Sequence, residues 1–155
     1  MTAPTVARPA YERGRRWLES GERALEDRRW DDAVYSAQMA AEQASKGLLL
    51  AAGIEVPKQH DVSNLLRELA AGAENTIPQH DIEKVARIVA DLASRRSQAA
   101  YGFESEIGVE AFRTVAPSAV RDAAYVLHFV RAALGLTRGA GPTRSSRRRP
   151  SRADP

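Results

Sequence analysis

The feature that most constrains the fold is a run of small residues at helical spacing between residues 32 and 52. Five alanines and one glycine recur there at intervals of one, three or four residues: Ala33, Ala37, Ala40, Ala41, Ala44 and Gly47. Val34, Leu48 and Leu49 add bulk to the same segment. Small side chains let neighbouring helices approach closely, and a face this long and apolar must be covered. The pattern therefore predicts a helix at the centre of a bundle.

The rest of the chain is also predicted to be helical, because no stretch alternates apolar and polar residues for long. Apolar residues at helical spacing predict further helices over residues 11–27, 61–72, 79–100 and 118–134, with a short one around 109–112. Internal prolines at 57, 78 and 117 stand where periodic segments start or stop. The expected fold class is all-α, an antiparallel four-helix bundle with an additional short helix.

Prolines near both ends and a C-terminal segment rich in Gly, Pro, Ser and Arg predict three regions: a flexible N-terminus over 1–9, a helical domain over 10–136 and a disordered arginine-rich tail over 137–155. Residues 138–155 hold six arginines and one aspartate, although the formal net charge of the chain is only +3. The other residues then hold 17 of the 23 basic and 19 of the 20 acidic side chains. The high pI is thus a property of the tail, which either contacts a polyanion or serves as a solubilising segment.

Composition excludes several classes of site. The chain has no cysteine, which excludes disulfides, thiol catalysis and cysteine-ligated zinc. Its histidines, at 60, 80 and 128, lack the spacing of a local metal site, so we expect no metal and no cofactor. No apolar run approaches the ~20 residues of a membrane span, and no hydrophobic leader follows Met1. The expectation is a cytoplasmic protein without membrane contact.

A candidate anion site lies where the fourth predicted helix ends, in a segment that holds Arg95, Arg96 and Tyr101. A guanidinium group binds two phosphate oxygens at once and keeps its charge, and a phenol can donate a hydrogen bond or stack on a base. The ordinary alternative is that cations favour a helix C-terminus and that Arg95 pairs with Asp91 one turn earlier. Adjacent helical residues are turned by about 100°, so Arg95 and Arg96 are not expected to point the same way.

Two other arrangements have both a structural and a chemical interpretation. Glu42 and Lys46 are four residues apart, as in a helix-stabilising ion pair, and a catalytic role lacks a further acid or histidine nearby in sequence. His60 precedes Asp61 at the start of the third predicted helix. A histidine can act as a general acid or base near neutral pH, but the local sequence shows no partner for it, and a structural role next to a helix cap is the ordinary alternative.

The segment 37–49, with Gln38, Glu42 and Lys46, resembles the signature of small prokaryotic HEPN-domain proteins, and so does His60 ahead of a Leu-Leu helix. The resemblance covers about residues 10–136. It implies a four- or five-helix bundle that commonly forms a homodimer. It also implies kinship with metal-independent endoribonucleases, whose motif is an arginine, four to six residues and a histidine.

This sequence departs from that motif, because Tyr101 stands where the family has its histidine. A tyrosine phenol ionises near pH 10 and an imidazole near 6.5, so tyrosine is the poorer base at neutral pH. The resemblance then implies a module that binds a nucleotide, RNA or a protein partner, with Arg95, Arg96, Tyr101 and His60 as binding residues.

The resemblance also suggests a partner, because family members often form toxin–antitoxin-like pairs with a minimal nucleotidyltransferase. Some of these partners modify a tyrosine near the motif, and Tyr101 would be that acceptor here. The alternative is a metal-independent endoribonuclease with a degenerate Arg-x4-Tyr motif, in which Arg95, Arg96 and Tyr101 are the catalytic residues.

Overall fold

The small-sided segment forms the central helix of the computed structural model, which describes residues 3–136. This helix, α2 (Trp30–Ala51), contacts α1 (Ala3–Glu26), α4 (Gln79–Tyr101) and α5 (Ala116–Ala133). The predicted alanines are buried along it: Ala33, Ala37, Ala40, Ala41 and Ala44. Its central position is therefore confirmed, and it follows from a surface small enough for three helices to approach.

The remaining elements complete the all-α bundle. The shortest helix, α3 (Ser63–Ala71), packs against α4. Two 3-10 turns, Gly102–Ser105 and Val109–Phe112, connect α4 to α5, and the second is the predicted short helix. No strand occurs between residues 3 and 136. The predicted fold class, four long helices with an additional short one, is confirmed.

The prediction that the first helix begins at Tyr11 was wrong. α1 begins at Ala3 and continues through Pro9, although proline removes one helical hydrogen bond. Ala7 and Tyr11 are buried, and a Cβ added at Gly47 would lie 3.0 Å from the Ala7 carbonyl oxygen. Packing against α2 thus extends the helix beyond what local sequence favours. Met1, Thr2 and the predicted tail over 137–155 lie outside the described residues.

Glycines set how closely α1 and α2 approach. A Cβ added at Gly14 would lie 2.8 Å from the carbonyl oxygen of Ala40 and 3.1 Å from the nitrogen of Ala44. Only a hydrogen fits there, so the two backbones are nearly in contact. This close approach holds the middle of α1, including Trp17, against α2.

No helix in residues 3–136 combines the length and the apolar character that crossing a membrane would require.

Candidate functional site

Arg96 extends from the last turns of α4 to the surface of α2. Its guanidinium carbon lies 5.2 Å from the centre of the Tyr35 ring, within the range of a cation–π contact. Tyr35 also contacts Trp17 of α1, whose ring meets it edge to face with 6.0 Å between centres. Three helices therefore contribute to one line of contact: a cation, a phenol and an indole.

The charge of Arg96 is not compensated within residues 3–136. No carboxylate oxygen in that range lies within 4.0 Å of its guanidinium group, and none of its N–H groups has a hydrogen-bond partner there. The Nε atom of Arg96 is buried and has no hydrogen-bond partner in that range. Buried donors are nearly always paired in folded proteins, since leaving one unpaired costs about 1–3 kcal/mol. The Arg96 guanidinium is thus a cation held in place but lacking a counter-charge.

Arg95 has the ordinary role that its spacing suggested. Its Nε lies 3.2 Å and its Nη2 3.4 Å from the two carboxylate oxygens of Asp91, one turn earlier on α4. The predicted pairing of Arg95 with Asp91 is confirmed. Because adjacent residues of a helix are turned by about 100°, Arg95 points away from the α2 surface that Arg96 contacts.

Tyr101 is the last residue of α4, and its side chain is 56% exposed. Its ring lies 6.5 Å from the ring of Phe103, which is 74% exposed. Tyr101 is five positions after Arg96 on the helix, a rotation of about 140°. Within one chain, Arg95, Arg96 and Tyr101 therefore point in different directions from the end of α4.

A second polar cluster surrounds Glu42, whose side chain is only 4% exposed. One carboxylate oxygen accepts a hydrogen bond from Lys46 Nζ at 2.6 Å, and the other accepts one from Gln38 Nε2 at 2.7 Å. These bonds run along one side of α2, because the three residues are spaced four apart. The predicted Glu42–Lys46 ion pair is confirmed.

His60 is the partner of Glu42 that sequence reasoning missed. Its Nδ1 lies 3.2 Å from Glu42 Oε2, which fastens the loop after α2 to the middle of that helix. An Nδ1–H that donates to the carboxylate leaves Nε2 of a neutral imidazole as an acceptor. Eighteen residues separate the pair, so no local spacing could reveal it. The one signal in the sequence was that the Glu42 helix and the His60 loop both match the family pattern.

His60 and Arg96 do not form one site within the chain. Arg96 contacts Tyr35, and His60 contacts Glu42. Seven residues of α2 separate these two contacts, about 10 Å along the helix axis. The Glu42 carboxylate already accepts hydrogen bonds from Lys46, Gln38 and His60. It therefore has a structural role, which is to hold the loop against α2.

Residues 3–136 contain no group of three or more histidine, aspartate or glutamate side chains that could hold a metal ion. The chemistry present at the Arg96 site is that of a fixed cation beside aromatic rings, which suits binding of an anionic group.

Comparison with known proteins identifies the family. The model of the HEPN domain family matches residues 7–133. The crystal structure of TT1696 from Thermus thermophilus is similar to this chain, with 28% sequence identity and a TM-score of 0.66. The similarity covers 82% of this chain and 97% of that one. A search of curated proteins gave no match.

Proposed function

Because the chain belongs to the HEPN domain family, we propose that it is a binding module for a phosphate-bearing ligand, a nucleotide or RNA. In this proposal Arg96 holds the phosphate. The observation that carries it is the uncompensated guanidinium of Arg96, fixed over Tyr35 with no carboxylate within 4.0 Å among residues 3–136. A bound phosphate would supply the missing counter-charge and accept hydrogen bonds from the guanidinium fork.

The placement of the histidines favours binding over RNA cleavage as the function. Cleavage without a metal needs a general base close to the phosphate that arginine holds. His60 contacts Glu42, His80 lies 2.8 Å from Asp81, and His128 is exposed on α5. None of them contacts Arg96 within the described chain, and Tyr101 is turned away from it. The metal-independent endoribonuclease therefore remains the alternative.

The binding proposal is tested by titrating the protein into fluorescent 5′-AMP and into a fluorescent single-stranded RNA. Fluorescence anisotropy reports the binding of each ligand. We expect Arg96→Ala to weaken both by roughly 10- to 100-fold, the cost of losing a hydrogen-bonded charged contact. Arg95→Ala is the matched control: it removes the same charge from the adjacent residue, and binding should change less than twofold. Equal effects of the two variants, or none, would contradict the role of Arg96.

A cleavage assay on the same samples tests the alternative function. Mixed single-stranded RNA is incubated with the folded protein with and without EDTA. EDTA-resistant cleavage that is lost in Arg96→Ala would establish the endoribonuclease, with a 2′,3′-cyclic phosphate as the expected product. Intact RNA, together with measurable binding, is the result that the binding module predicts.

A protein partner is the second candidate, favoured by one observation. Within residues 3–136 the exposed large hydrophobic side chains are Tyr101, at the end of α4, and Phe103 and Val109, in the segment that joins α4 to α5. An exposed phenol among exposed apolar groups is accessible to a modifying enzyme. This exposure is in keeping with a toxin–antitoxin-like pair, in which a homodimer of this protein binds a minimal nucleotidyltransferase.

Mass spectrometry after co-expression with a minimal nucleotidyltransferase tests this second candidate. We expect a nucleotidyl adduct on Tyr101 that disappears in Tyr101→Phe. The control is Tyr125→Phe, since Tyr125 is half-buried beneath Lys84, whose Nζ lies 4.1 Å from the ring centre. An unmodified Tyr101 in the co-expressed pair would remove this candidate.

A further inference from the structure

The α1 surface next to Trp17 carries two arginines whose charges are not compensated. Arg13, Arg16, Trp17 and Ser20 line a shallow hollow of about 160 Å³. Arg13 and Arg16 are exposed, and within residues 3–136 neither lies within 4.0 Å of a carboxylate. The hollow is therefore positively charged and large enough to admit a small anionic group.

The two glutamates that adjoin the lining residues in sequence are paired with another arginine. Glu12 and Glu19 both bond to Arg15, with oxygen-to-nitrogen distances of 2.8 and 2.5 Å. Arg15 of α1 thus forms ion pairs with two carboxylates, while Arg13 and Arg16 form none with the described residues. The helix is neutralised on the side of Arg15 and remains positive beside Trp17.

Two aromatic rings link the hollow to the Arg96 site. Trp17 lines the hollow and contacts Tyr35, and Tyr35 in turn contacts Arg96. Uncompensated cations therefore lie at both ends of a pair of aromatic rings, and three different helices supply these groups. A mononucleotide carries its phosphates at one end and needs only one of these cations. A single strand offers phosphates at regular intervals with bases between them, which is what arginines flanking aromatic rings bind.

We propose that Arg13, Arg16 and Trp17 extend the Arg96 site into a binding surface for single-stranded RNA several nucleotides long. The proposal rests on the proposed function, since it takes Arg96 as one of the phosphate contacts. Arg13 and Arg16 bind further phosphates of the same strand, and Trp17 stacks against a base.

The experiment compares fluorescent 5′-AMP with a fluorescent ten-nucleotide single-stranded RNA, each titrated over a series of salt concentrations. The wild-type protein should bind the RNA more tightly than the mononucleotide. In the double variant Arg13→Ala/Arg16→Ala, RNA affinity should fall about tenfold, and the slope of log K against log salt should fall by roughly 1.4, two lost phosphate contacts. Mononucleotide affinity should change less than twofold.

The matched control is Arg8→Ala/Arg87→Ala, which removes two exposed arginines, one from α1 and one from α4. Arg8 is nine residues from Trp17 and Arg87 nine from Arg96, so each lies on the opposite side of its helix. This variant should keep the wild-type RNA affinity and salt slope. In a Trp30→Phe background, RNA but not 5′-AMP should also quench the emission of Trp17.

The outcomes separate the two proposals. If 5′-AMP binds through Arg96 but RNA binds no tighter, or if both double variants behave alike, the extended surface is refuted and the Arg96 site stands. If the wild-type protein binds neither ligand, both proposals fail.

Discussion

The close approach of α1 and α2 predicts opposite effects for two identical substitutions on α1. Gly14→Ala places a Cβ 2.8 Å from the carbonyl oxygen of Ala40, closer than real Cβ contacts, and that oxygen belongs to a helix backbone that cannot turn aside. Gly21→Ala, seven residues on and on the same face of the helix, places its Cβ 3.4 Å from the side chain of Ser36, an ordinary contact.

The magnitudes follow from two opposing terms. Replacing glycine by alanine inside a helix stabilises it by about 0.5–1 kcal/mol. Overpacking a tight contact costs about 1–3 kcal/mol. Gly21→Ala has only the first term, so its free energy of unfolding should rise by about 0.5–1 kcal/mol. Gly14→Ala has both terms, so its free energy of unfolding should fall by their difference, up to about 2.5 kcal/mol.

Urea unfolding followed by circular dichroism measures both variants against the wild type. For a chain of this length each kcal/mol corresponds to about 2–4 °C in Tm, so the two variants should differ clearly in thermal unfolding as well. Equal m-values would show that the variants unfold to the same state. A Gly14→Ala protein as stable as Gly21→Ala would refute the close approach of the two helices.

Further predictions concern buried charge, pH and backbone geometry. Glu42→Gln removes the shared charge of the buried cluster and should cost about 2–3 kcal/mol in urea unfolding, whereas Glu110→Gln, at an exposed pair, should change little. Burial, and then the charge of Asp91, raises the pKa of the Asp122 carboxyl. The folded state then binds that proton more tightly than the unfolded chain, so ionisation of Asp122 lowers the free energy of unfolding at neutral pH. Asp122→Asn should raise stability at pH 7, and the gain should vanish below about pH 4. Gly53→Ala should cost about 1 kcal/mol by thermal unfolding, because Gly53 has a φ of +77° with open space around it.

Sequence patterns predicted the elements whose boundaries depend on local signals. Apolar spacing and flanking prolines placed both ends of α2, α3, α4 and α5 within two residues of their observed positions. The start of α1 escaped this reasoning, because its first turns form through contact with Gly47 on another helix. Local signals placed this start at Tyr11, whereas packing against α2 extends the helix to Ala3.

The contacts of the candidate site also fall into those that local spacing predicts and those that tertiary packing forms. The partners of Arg95 and Lys46 lie one turn away on their own helices, so their spacing revealed them. Arg96 contacts Tyr35, and His60 contacts Glu42, only because separate helices and a loop meet. Such contacts depend on the packing of the bundle, which no local pattern contains.

The unpaired state of Arg13, Arg16 and Arg96 does not reflect a shortage of acidic side chains. Outside residues 138–155 the chain holds 19 acidic and 17 basic residues, obtained by subtracting one and six from the totals of 20 and 23. Carboxylates are thus in excess over this part of the chain, and two of them converge on Arg15 alone. Positive charge persists beside Trp17 and Tyr35 because no carboxylate of residues 3–136 lies within 4.0 Å of these three arginines. A local charge that the rest of the fold does not neutralise suits an external anion, and the adjacent rings favour one that carries bases.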